Sequence, residues 1–132
     1  SGADLMVKKC VLDRVGCFSP VYFMYYEETD LCFRISKAGY KIMSVPAARI
    51  QHLEGKSFKS AIDPKRIEVS EKGRENFYKH NYSRLYHKIA NFIYRITLNL
   101  HYVIFMSLGN KNAAITCKTK KDILYRLKNS QL

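Results

Sequence analysis

An α/β fold with short strands and helices, running into a mostly helical basic tail, is what the sequence predicts. Three observations predict it. Short extended and helical patterns alternate through residues 1–60. A long run of helical periodicity follows. The charge is split: the chain carries +12 overall, residues 1–60 hold nine Lys/Arg against six Asp/Glu, and residues 61–132 hold fourteen against five. The same split sets the expected domain boundary, with 1–60 as one unit and 61–132 as a basic amphipathic helical segment.

The elements follow in order. "ADLMV" is a short apolar strand candidate. "KKCVLDRVG" places Val11, Leu12 and Val15 at helical spacing, and Gly16 suits the left-handed residue that ends a helix. "CFSPVYFMYY" is an aromatic loop, because Pro20 has no amide proton to give a central strand. "TDLCFRISKAGY" is a helix with Leu31, Ile35 and Ala38 on one face, Thr29 or Asp30 as cap and Gly39 as terminator. "YKIMSV" alternates as a strand, "ARIQHL" is extended, and "EGKSFKSAIDPKR" is a polar loop. Residues 66–109 read as one long helical stretch, broken near Gly73 and around 81–83. In it Asn91, Arg95 and Asn99 form a polar stripe, while Ile89, Phe92, Ile93, Ile96, Leu100, Val103 and Ile104 make a very wide apolar face. The polar residues argue against a transmembrane span. "KTKKDILYRLKNSQL" closes the chain as a last short helix.

Composition narrows the class. The chain is 47% hydrophobic and 26% charged, which is globular rather than disordered. Cys10, Cys17, Cys32 and Cys117 show neither zinc nor disulfide spacing, so reduced thiols in a cytoplasmic setting are expected. Lys8 and Lys9 follow the first apolar stretch instead of preceding it, unlike a signal peptide. From residue 76 onward there are ten Lys/Arg and one acid, Asp122. That tail points to an anionic partner: peripheral contact with the inner face of the membrane is favoured, and nucleic acid is not expected because no recognition motif accompanies the charge.

Against this basic background, "YYEETDLCFR" gathers Glu27, Glu28 and Asp30 at one helix start. Acids there can simply complement the helix dipole. They can also supply a general base, since like-charge neighbours raise a carboxylate's pKa.

The stretches "SGADLMVKKCVLDRVGCF", "VYFMYYEETDLCFRISKAGYKIMSVPAARIQH" and "HLEGKS" together resemble the C-terminal half of an inverting family 2 glycosyltransferase with the Rossmann-like GT-A fold, nearest its rhamnosyltransferase-like branch. The resemblance covers roughly residues 1–60. It implies that Gly2 and Ala3 open the acceptor half of the site. Tyr22, Phe23, Tyr25 and Tyr26 can stack on an acceptor sugar or equally pack in the core; Tyr25, Tyr26 and Arg34 are assigned to the acceptor side, with Arg34 expected to pair with an acid of the turn rather than to touch substrate. Glu27 and Glu28 fall on the family's Glu-Asp pair, whose second acid acts as base; here that second acid is Glu28, one methylene longer than Asp. Asp30 and Arg34 match the acid and arginine that follow in the helix. His52, Gly55 and Ser57 match a His-x-x-Gly-x-Ser loop near the donor diphosphate, with His52 a possible metal ligand.

The family's Asp-x-Asp pair and nucleotide-binding half are absent, so the chain reads as an acceptor-side fragment of a longer enzyme, inactive alone. The parent would take a nucleotide-sugar donor, a glycan or lipid-linked acceptor and a divalent Mg or Mn ion; no metal is expected on the fragment. An exposed half domain is also expected to associate as a homo-oligomer. The alternative from another class is a non-catalytic basic module that binds a membrane surface or a protein partner.

Overall fold

The computed structural model describes residues 4–51 and 63–129, and among these every regular element is a helix. In chain order they are α1 (Lys9–Val15), α2 (Glu27–Lys37), α3 (Pro64–Asn81), α4 (Arg84–Ser107) and α5 (Lys111–Asn129). No strand forms among the described residues, which overturns the α/β, Rossmann-like expectation. Of the candidates at 3–7, 40–45 and 48–53, the described residues 4–7, 40–45 and 48–51 form no strand; 40–45 has the alternation but no partner strand among the described residues. A lone extended segment leaves its amides and carbonyls to water and cannot hold a ladder. Ile42, Met43, Val45 and Ile50 accordingly stay exposed instead of forming one face of a sheet.

The helix boundaries obey local chemistry. Gly16 (φ 82°) and Gly39 (φ 87°) take the positive φ that a glycine allows, just past the ends of α1 and α2. Asp63 caps α3 by accepting from the Lys65 amide at 2.9 Å, and Pro64 occupies the first turn. Ser83 caps α4 by accepting from the Tyr86 amide, so the break expected at 81–83 is present. The break expected at Gly73 is not: α3 runs straight through it. After Gly109 (φ 71°), the Asn110 side chain accepts from the Ala113 amide, and α5 begins seven residues before the last helix was expected, at Lys111 instead of Lys118.

Two small cores result. Val11, Leu31 and Ile35 join α1 to α2, with Leu5, Val7, Leu12, Val15 and Tyr40 around them. Leu98, Cys117 and Leu124 join α4 to α5 beneath Tyr94, Tyr102 and Phe105. Between them α3 carries an unusual polar centre. Glu71 and Arg74 are buried; Arg74 Nε donates to Glu71 Oε2 at 3.1 Å, and the Tyr94 hydroxyl donates to Glu71 Oε1 at 2.7 Å. Arg74 also donates to Asn91 Oδ1 at 2.8 Å and lies over the Tyr94 ring at 4.3 Å. Buried charges need this degree of pairing to be tolerated. The four cysteines are free. Among the described residues, no helix is long and apolar enough to cross a membrane.

Candidate active site

The acidic turn opens α2 in an unexpected way. The helix starts at Glu27, and neither Thr29 nor Asp30 caps it; the capping position is Tyr26, which makes no side-chain cap bond. Tyr25 (φ 67°) and Tyr26 (φ 69°) both sit in the left-handed region. For bulky L-residues this costs on the order of 1–2 kcal/mol each and persists only where surrounding structure enforces it.

Gly73 is what lets the enforcing contact occur. A Cβ built there would lie 2.8 Å from the Tyr25 carbonyl oxygen and 3.1 Å from Tyr26 Cδ2. Only a glycine lets α3 press against this backbone. Tyr26 also packs on Phe77 of α3, with ring centroids 5.9 Å apart. Burial raises the pKa of the Tyr26 hydroxyl; Arg74 opposes the rise and Glu71 adds to it, which places Tyr26 in the field of the buried polar centre.

The three acids then separate. Asp30 is only 4% exposed and fully engaged: it accepts from Arg34 Nε (2.8 Å), Asn81 Nδ2 (2.8 Å) and the Tyr22 hydroxyl (3.2 Å). Burial, then the Asp30 charge, pushes the Tyr22 phenol up to about 12. Arg34 is equally committed, since it also donates to the Val15 and Cys17 carbonyls at the end of α1. Asp30 and Arg34 thus tie α1, α2, the aromatic loop and the last turn of α3 together. Glu27 and Glu28 are half-buried, and the Oε2 atom of each is buried without a hydrogen-bond partner. Such an atom costs free energy unless something accepts or supplies a proton there.

Of the aromatic residues, Tyr22 is buried as a donor to Asp30, while Phe23 is 86% exposed beside the turn. Gly2, Ala3, His52, Gly55 and Ser57 lie outside the described residues. No group of three or more His, Cys, Asp or Glu side chains gathers as a metal set among the described residues. With Asp30 saturated, the acidic turn is left with the carboxylates of Glu27 and Glu28. A groove of about 360 Å³ lies elsewhere, between Tyr78 of α3 and Tyr86, Ile89 and Ile93 of α4, and no acid of the turn lines it.

Sequence reasoning missed Gly73, Asn81 and the Glu71–Arg74–Tyr94 centre as parts of this site. One signal was available. A glycine inside a strongly periodic helix costs about 1 kcal/mol relative to Ala, and close backbone approach is a usual reason for it.

Comparison with known proteins gives partial likeness. The chain is 42% identical over 52 residues to the N-acetylglucosaminyl-diphospho-decaprenol L-rhamnosyltransferase of Mycobacterium tuberculosis, in strains CDC 1551 / Oshkosh and ATCC 25618 / H37Rv. It is 40% identical over 52 residues to rhamnosyltransferase WbbL of Escherichia coli (strain K12). Each match covers 39% of this chain, but only 17% of the mycobacterial proteins and 20% of WbbL. No family model matches the chain, and no solved structure does. The likeness supports a glycosyltransferase relationship over part of the chain.

Proposed function

We propose that this chain is the acceptor-side part of an inverting glycosyltransferase of the family 2 kind, with Glu28 as general base. The observation that carries the reading is the contrast within one helical turn: Asp30 is saturated by three donors, whereas the Oε2 atoms of Glu27 and Glu28 are buried and unpartnered. The partial likeness to rhamnosyltransferases supports the reaction class.

In the reaction, a Glu28 oxygen takes the proton of the acceptor hydroxyl as that oxygen attacks the anomeric carbon. The new C–O bond forms as the bond to the diphosphate breaks, and the nucleoside diphosphate leaves with the electron pair. Attack from the face opposite the leaving group inverts the centre. The exposed ring of Phe23 supplies an apolar face on which an acceptor sugar can lie, with half-buried Tyr25 and Tyr26 behind it. In the full-length enzyme His52, Gly55 and Ser57 would serve the donor side, where a divalent ion would neutralise the leaving diphosphate.

The test is transfer by the full-length protein from a panel of labelled nucleotide sugars, including deoxyhexose donors, to glycan and polyprenyl-diphosphate-linked acceptors. The reading expects a product of inverted anomeric configuration. Transfer with retention, or none with any donor, would overturn it.

A further inference from the structure

We propose that the outward face of α4 is a docking surface for an anionic lipid bilayer, with the helix lying in the plane of the headgroups. This inference stands on α4 and does not rest on the transferase reading. Leu85, Ile89, Phe92, Ile96, Leu100 and Val103 follow one another at steps of three or four residues, and all are exposed, Phe92 by 65% and Val103 by 63%. The opposite face of the same helix is already used, with Leu98 only 4% exposed against α5. A helix that is apolar on both sides has two faces to cover, and the fold covers one. At 24 residues the helix is about 36 Å long. It does not qualify as a membrane-crossing span, so insertion along the interface is the geometry left to it.

Charge selects the occupant. On α3, α4 and α5 the acids Glu68, Glu71 and Glu75 are engaged with Lys72, Arg74 and His87. With Lys72 set aside beside Glu68, the exposed ionic side chains of these helices are then eight Lys/Arg against one acid, Asp122. Lys88, four residues before Phe92, lies beside the apolar stripe, and Arg84 is exposed at the start of the helix. A second copy would bring two chains of net charge +12 together, whereas anionic headgroups supply the missing countercharge. The stripe also begins beside the acidic helix. Tyr86 stacks on Tyr82 at 4.6 Å, and Tyr82 contacts Phe33 of α2 at 5.5 Å. A docked bilayer would therefore run close to α2.

Vesicle flotation of the 132-residue chain tests this. Vesicles of phosphatidylcholine with phosphatidylglycerol should float the chain, pure phosphatidylcholine should do so far less, and high salt should weaken the binding. Ile96→Asp should lower partitioning about tenfold, and Lys88→Glu should lower it on anionic vesicles alone. Both sites are exposed, and circular dichroism checks that the helices remain. The chain has no tryptophan, so Phe92→Trp gives an independent reading: its emission should shift to the blue with anionic vesicles. Absence of flotation, or binding unchanged by Ile96→Asp, overturns the proposal. So does a dimer in light scattering that Ile96→Asp dissociates and that ignores vesicles, because a second copy then covers the face.

Discussion

At Asp30 both carboxylate oxygens have donors, and at Glu28 one oxygen has none. In sequence the two acids look interchangeable, two positions apart in the same turn. Spacing could not separate them, because Asp30 is saturated by Asn81, which is 51 residues away. Removing the Asp30 carboxylate should therefore damage the fold. Asp30→Ala leaves Arg34 and Asn81 without their acceptor, and urea unfolding should show a loss of about 2–4 kcal/mol. A change below about 0.5 kcal/mol would show that the hub is not structural. Tyr22 adds a pH signature. Its folded pKa is raised above the unfolded value of about 10. The stabilisation is thus fully present below pH 10 and is lost as pH rises toward 12. Tyr22→Phe should make the alkaline decline in stability shallower; an unchanged slope would contradict the assignment.

At the scale of elements, α3 decides the shape of the acidic turn. Its glycine was legible as an irregularity, but it reads as a helix break when only local propensity is weighed. The structure uses it for approach, with Tyr25 O where a Cβ would otherwise be. Gly73→Ala separates the two accounts. Propensity alone predicts a gain of about 1 kcal/mol. The contact predicts a loss of about 1–3 kcal/mol, from overpacking against backbone that cannot rotate away. The urea midpoint reports the sign. Helix α4 shows a second limit of periodicity. The pattern distinguished an apolar face from a polar stripe but not which of the two a neighbouring helix covers. Here Asn91 is drawn in by Arg74 and Glu75, Arg95 donates to the Leu124 carbonyl, and Phe92 and Ile96 face out. A periodic pattern says that faces differ; the neighbours decide which one is covered.

Across the whole molecule, the helices and the charge split were legible because they depend on near neighbours and on composition. Gly16, Gly39 and Ser83 each act within a few residues of their own position. The strands were misread because a strand exists only with a partner, and 40–45 has none among the described residues. The site was legible as a motif but not as a geometry: the sequence marks Glu27 and Glu28, while the contacts that shape their turn come from Gly73, Phe77 and Asn81. The matched stretch spans no more than a fifth of the length of its relatives. This chain alone is accordingly predicted to bind no nucleotide sugar tightly. Calorimetry with a donor panel and Mn²⁺ checks it, and a low-micromolar site would contradict the fragment reading.

Glu28 is proposed to remove the acceptor proton. The most direct measurement is turnover and donor affinity of the full-length enzyme carrying Glu28→Gln, beside Glu27→Gln. The amide keeps the size and most hydrogen bonding of the side chain but cannot take a proton. Glu28→Gln should abolish turnover, by about a hundredfold or more, while donor affinity stays unchanged; Glu27→Gln should retain measurable turnover. Glu28→Gln turning over within a few-fold of the wild type would contradict the account, and loss confined to Glu27→Gln would move the base to the neighbouring residue.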